Sequence, residues 1–148
     1  MPDSTTLPGP HEVFEQMRRH WLGESDVELL ADDAVIELPF ALPGRRTRYE
    51  GREDFREATD EDRANFPVRF EEVRDVVVHD TADPEVIVVE YELAGVVTTT
   101  GHRASAPFIG VLRVRDGKTV LWREYQNSLA IAAALGRLPD LLAAFNRP

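Results

Sequence analysis

The sequence predicts an α+β domain, with helices toward the start of the chain and a meander of long antiparallel strands toward its end. Two observations carry this. Apolar residues at helical spacing fill the first quarter, where Val13, Phe14, Met17 and Trp21 fall on one stripe. From Val68 to Asn127 the pattern turns to long β-rich runs, broken at Asp83-Pro84, Gly101 and Asp116-Gly117. Segregated helices and antiparallel strands are the mark of an α+β chain.

Each element follows in order. Residues 1–8 read as a loose tail, and 9–148 as a single domain. Gly9-Pro10 starts the first helix, with proline at the first helical position, and Gly23 ends it. Ser25 and Glu28 have capping-box spacing, which predicts a second short helix to about Ala31. Residues 34–40 read as a strand with Ile36, Leu38 and Phe40 on one face. A loop over 41–50 carries Arg45, Arg46 and Arg48. A charged helix follows from Arg52 to about Asn65, anchored by Phe55 and Ala58 with Phe66 just beyond, and Pro67 stops it. Strands are expected over 68–79, 85–98, 104–115 and 118–127. Ser128 caps an alanine-rich helix that Gly136 ends, and Pro139 opens a last short helix to near Phe145.

Composition narrows the function. The 148 residues carry 27 acidic and 17 basic side chains, a net charge of −10, which repels phosphate backbones and disfavours nucleic-acid binding. With no cysteine, disulfides, thiolate metal sites and a cysteine nucleophile are excluded. No apolar run is long enough to span a membrane, and the first ten residues lack the basic start and apolar stretch of a signal peptide, so a cytoplasmic location is expected. His11, His79 and His102 do not cluster with carboxylates at metal-ligand spacing, so no metal and no cofactor is expected. The three loop arginines suit an anionic group or, as such runs commonly are, a solvated surface.

Asp116-Gly117 is the strongest local signal, a two-residue loop suited to a type I′ hairpin. Counting back from it without interruption, Val111 faces Trp122, Ile109 faces Glu124 and Pro107 faces Gln126. One face then carries Pro107, Ile109, Val111, Trp122, Glu124 and Gln126. The other carries Phe108, Gly110, Leu112, Leu121, Arg123, Tyr125 and Asn127. Both are largely apolar, and helices can cover only one, so the second is a candidate subunit interface. Glu124 stands out as a carboxylate among apolar neighbours. Burial raises such a pKa and suits the group to general acid or base work; an arginine partner or a place at the solvent edge is the plainer alternative.

Three stretches carry a resemblance. They are 30–40 (LADDAVIELPF), 49–53 (YEGRE), and the set Val114-Arg115-Asp116-Gly117-Lys118, Arg123-Glu124-Tyr125 and Ala134-Leu135-Gly136. In order and spacing, over about His11 to Leu142, the chain resembles the SnoaL-like group of the nuclear transport factor 2-like superfamily. The resemblance implies a curved antiparallel sheet wrapped around the N-terminal helices, a cone-shaped barrel with an internal pocket, and a homodimer through the outer sheet face. It selects the hairpin face bearing Trp122, Glu124 and Gln126 as the pocket wall.

Ketosteroid isomerase relatives place an Asp base where this chain has Leu38, and a protonated Asp where it has Ile109 or Gly110. Their oxyanion-hole Tyr corresponds best to His20. That mechanism is therefore not expected here. Polyketide cyclase members commonly carry Asp where this chain has Asn127. The phenazine biosynthesis A/B proteins share Phe66-Pro67, Val89-Glu90 and the Arg123 to Asn127 motif, whose glutamate is an acid/base residue in that family. Carried over, it is Glu124.

The expected site therefore has Glu124 as acid/base with His20 as its partner across the pocket. Met17, Trp21, Leu38, Phe40, Phe55, Phe66, Glu90, Ile109, Trp122 and Gln126 form its ligand-binding lining; the aromatic members are core residues first. Glu90 and Glu92 share a strand face, and an exposed placement is the plainer expectation for both. Two functions follow. One is cofactor-independent isomerisation, cyclisation or dehydration of a small, mostly apolar metabolite. The other is a non-catalytic binding or accessory domain.

Overall fold

The computed structural model describes residues 6–63 and 66–146. Helix α1 (Pro10–Trp21) is followed by strands β1 (Leu30–Glu37) and β2 (Arg48–Glu50), then helix α2 (Arg52–Asp62). Strands β3 (Val68–Asp80), β4 (Val86–Val97), β5 (Arg103–Arg115) and β6 (Lys118–Tyr125) form the meander, and α3 (Ser128–Ala134) and α4 (Leu138–Phe145) close the chain. The six strands lie in the order β2-β1-β6-β5-β4-β3, with β2 and β3 left as edges. The pairing of β1 with β6 is parallel, so the sheet is mixed and open rather than wholly antiparallel.

Each long strand matches its turn chemistry. Asp116 and Gly117 hold φ of 53° and 77°, as a type I′ loop requires, and Arg115 pairs with Lys118. β4 alternates strictly: Ile87, Val89, Tyr91 and Leu93 are buried, while Val88, Glu90 and Glu92 face the other way. The buried face receives α1 through Val13, Phe14 and Met17. It is called the inner face below.

Three local expectations change. The helix over 25–31 does not form. Glu28 is used elsewhere: its carboxylate accepts from the Leu30 amide and pairs with Arg56, and its carbonyl accepts from Lys118. A single turn does not offset the cost of nucleation against such contacts. The strand expected at 34–40 runs instead from Leu30 to Glu37, so Leu38 and Phe40 lie beyond its end, and Phe40 is 59% exposed. The side chain that caps α3 is Asn127, whose Oδ1 accepts from the Ala130 amide, not Ser128. The extent of α2 beyond Arg63 falls on residues outside those described.

The hairpin register also changes, by one residue. Arg115↔Lys118 and Val114↔Thr119 pair as counted, but Arg113 then pairs with Leu121, leaving Val120 as an extra residue in β6. That bulge moves every later partner. Leu112 faces Trp122, Gly110 faces Glu124 and Ile109 faces Tyr125. The inner face therefore carries Phe108, Gly110, Leu112, Trp122 and Glu124, whereas Pro107, Ile109 and Val111 turn outward with Tyr125.

Beside the bulge, Thr119 is fully buried and its hydroxyl has no hydrogen-bond partner among the described residues. A buried unpaired hydroxyl costs free energy that a methyl of the same shape does not. Thr119→Val is expected to stabilise the fold by about 1 kcal/mol, read as a higher denaturant midpoint at unchanged slope.

Candidate active site

The inner face gathers the aromatic side chains. Trp21, at the end of α1, lies with its ring centroid 5.4 Å from that of Tyr91 and 5.8 Å from that of Trp122. Tyr91 stacks on Phe108 at 5.8 Å and lies 5.9 Å from Phe14. Trp122 can lie flat here because its neighbour across the ladder is Gly110. A Cβ built on Gly110 would stand 2.1 Å from the Trp122 ring.

Glu124 enters this cluster from β6. The Tyr91 hydroxyl donates to its Oε2 at 2.6 Å, and the Gln126 amide donates to Oε1 at 3.1 Å. No basic side chain within the described residues forms an ion pair with it. Residue 124 keeps some exposed surface, but its carboxyl is the enclosed end. Burial pushes the carboxyl above the usual glutamate range, and the hydrogen bonds from Tyr91, Gln126 and Trp122 offset part of that rise. Burial, the adjacent carboxyl and the hydrogen bond together push the Tyr91 phenol far up, so it remains a donor. The cluster thus favours the protonated form of a group with little competing solvent.

The expected site residues divide. Met17, Trp21 and Trp122 lie on the inner face, and Gln126 bonds to Glu124. His20 does not join them. It is exposed, with Nδ1 at 3.1 Å from the Ser25 carbonyl, because it sits one residue off the stripe that turns Trp21 inward. Ile109 is 43% exposed on the outer face, as the Val120 bulge dictates. Glu90 is also outside, paired with His79 at 2.6 Å, and Glu92 pairs there with Arg74 at 2.7 Å. Phe55 packs edge-on to Tyr49 beneath α2. Phe66 lies beside Phe70 at a hollow of about 50 Å³ between the far ends of β3, β4 and β5 and helix α3. The loop arginines make local pairs: Arg45 with Asp62, Arg46 with Asp54, and Arg48 with Glu37 and Glu50.

Tyr91 was not singled out by sequence. Its signal is present in the alternation of β4, where it occupies an apolar-face position between Val89 and Leu93. A hydroxyl on that face needs a buried partner. Finding Glu124 as that partner requires the β4–β5–β6 pairing.

The larger cavity lies elsewhere. A groove of about 920 Å³ runs between the outer face, the 39–43 loop and α4, with Phe40, Val77, Ile109, Tyr125 and Phe145 among its walls. Gln126 and Tyr91 also border it, while Glu124 borders neither hollow. The carboxyl therefore sits behind its two hydrogen-bond partners, which separate it from the groove. No group of three or more His, Asp or Glu among the described residues is placed to hold a metal ion. No helix among them is long and apolar enough to cross a membrane.

Residues 8–122 match the model of the SnoaL-like domain. The chain is 38% identical over 109 residues to an uncharacterized PhzA/B-like protein of Pseudomonas aeruginosa, covering 74% of this chain and 75% of that one. Among solved structures it is similar to a Bacillus subtilis protein provisionally assigned as an isomerase, with TM-score 0.77, 26% identity and coverage of 86% and 92%. A phenazine biosynthesis-related protein of Pseudomonas aeruginosa shares the fold, with TM-score 0.62, 20% identity and coverage of 85% and 84%.

Proposed function

The chain belongs to the SnoaL-like domain family, and on that footing we propose that it is a cofactor-independent acid/base enzyme. Its substrate is a small, mostly apolar metabolite, and Glu124 moves the proton. One observation carries this reading: a buried carboxyl without a cationic partner among the described residues, held by hydrogen bonds from Tyr91, Gln126 and Trp122. A structural carboxylate is ordinarily solvated or paired with a base, because an unpaired buried charge is costly. A carboxyl whose pKa is raised by an apolar site is suited instead to donating and accepting a proton.

The roles follow from the geometry. Rotation of the Gln126 side chain exposes Oε1 of Glu124 to the groove, while Oε2 stays fixed on the Tyr91 hydroxyl. The carboxyl then removes a proton from a carbon next to a carbonyl and returns it to another position, which gives isomerisation, or the carbanion closes a ring. Trp21 and Trp122 form the apolar wall that raises the carboxyl pKa, and the carboxyl exchanges its proton with solvent between turnovers. A second reading, ligand binding without turnover, is favoured by Glu124 bordering neither cavity.

The test needs no known substrate. A panel of small apolar cyclic ketones is incubated with the protein in D₂O, and deuterium at the α-carbon is followed by mass spectrometry across pH. Tyr91→Phe removes a hydrogen bond that lowers the Glu124 pKa, so the limb set by Glu124 is expected to move to higher pH in that variant. A limb that stays in place removes Glu124 from the chemistry. No exchange above the uncatalysed rate with any ketone favours the second reading.

A further inference from the structure

The outer groove has a lining whose charge has one sign. Three carboxylates, Asp75, Glu90 and Glu92, border it, and no lysine or arginine among the described residues does. Most of the remaining wall is aromatic or aliphatic. Phe40 and Tyr125 meet edge-to-face at 5.3 Å, and Phe145 is 70% exposed toward solvent.

The three acids are not equivalent. Glu92 is neutralised by Arg74. Glu90 shares a hydrogen with His79 and is half-exposed. Asp75 has no hydrogen-bond or ion-pair partner for its side chain among the described residues. It stands at φ 54° in a bulge of β3, where Asp75 and Val76 oppose Tyr91 alone. The bulge brings this free carboxylate to the border of an apolar trough that opposes it with no base.

From this charge and surface we infer that the groove binds an organic cation with an apolar body, a protonated amine or quaternary ammonium. The ammonium lies between Asp75 and Glu90, where carboxylates and the faces of Phe40 and Tyr125 both favour positive charge. The apolar body covers Val77 and Ile109, which are 47% and 43% exposed without it. A neutral ligand satisfies the apolar wall but leaves Asp75 unanswered. An anion is repelled both by the groove and by the net charge of −10. The inference shares its groove with the proposed reaction but rests on the lining alone, so the binding test below and the exchange test at Glu124 fail separately.

The experiment compares two probes of equal shape on the full chain. Benzyltrimethylammonium carries the charge, and its counterpart with carbon in place of nitrogen does not. Binding is read from the methyl resonances of protein labelled at isoleucine, where Ile109 reports the groove and Ile36 and Ile87 report the core. The cation is expected to bind at least fivefold tighter, to shift Ile109, and to weaken as salt rises from 0.05 to 0.5 M. Asp75→Asn keeps the left-handed backbone, which asparagine tolerates, and is expected to abolish the preference. Glu90→Gln is expected to reduce it. Equal affinity for the two probes overturns the inference and assigns the groove to neutral ligands. A cation preference that survives Asp75→Asn also overturns it. So does protection of Ile109 from both probes together with a dimer in light scattering, since a second copy is then the occupant.

Discussion

Glu124→Gln is expected to lower turnover by roughly two to four orders of magnitude, the usual contribution of a positioned acid or base, while leaving ligand affinity and folding nearly intact. The substitution is close to isosteric. The new amide oxygen still accepts from the Tyr91 hydroxyl, and Gln126 can turn its own amide to present oxygen instead of nitrogen. What is lost is the titrating proton. Stability carries a second signature. The folded carboxyl has a raised pKa, so above the unfolded value the native state binds more protons than the unfolded one. Stability contributed by this group therefore falls as pH rises from about 4.3, the ordinary glutamate value, through the folded pKa. A neutral amide at this position escapes that penalty. The variant is expected to melt above the wild type at pH 8, with the gap closing below about pH 4. Melting curves across that range check the sign. A variant that is less stable at pH 8 and equally active removes both the raised pKa and the proton-transfer role.

Gly110→Ala is expected to be strongly disruptive. Its Cβ would stand 2.1, 2.6 and 2.8 Å from three atoms of the Trp122 ring. Trp122 is 7% exposed and has Trp21 and Tyr91 beside it, so it cannot swing away without moving its neighbours. Overpacking of this kind costs about 3 kcal/mol, a fall in Tm of roughly 6–12 °C for a chain of this size. Displacing Trp122 also displaces a hydrogen bond to Glu124, so activity is expected to fall with stability. Trp122→Leu in the same background makes room for the methyl and is expected to recover part of the stability. The coupling between the two sites, measured by a double-mutant cycle, separates a steric cause from a loss of strand propensity. Full additivity would rule out the clash.

Much of this was legible locally. The Asp116-Gly117 turn, the four long strands and the extent of α1 follow from residues within a few positions of each other. So does the suspicion about Glu124, a single carboxylate in an apolar run. His20 was misplaced because a helix face resolves only to about a residue, and Trp21 took the inward position. The Ser25–Glu28 pattern failed because Arg56 and Lys118 compete for the same glutamate from far along the chain. Ile109 was misplaced by one residue in β6, Val120, which carries no mark of its own: a bulge needs no special side chain.

The sequence by itself determined the α+β class, the order of the elements and the presence of a carboxyl on an apolar strand, because periodicity and turn chemistry are short-range properties. Only the tertiary structure decided which residues share the inner face, that Tyr91 rather than His20 holds Glu124, and that Asp75 borders an outer groove. Tyr91 and Glu124 are 33 positions apart and meet through two successive antiparallel pairings. A one-residue shift in either pairing turns the side chain to the opposite face, so the contact depends on the whole ladder and on no local pattern.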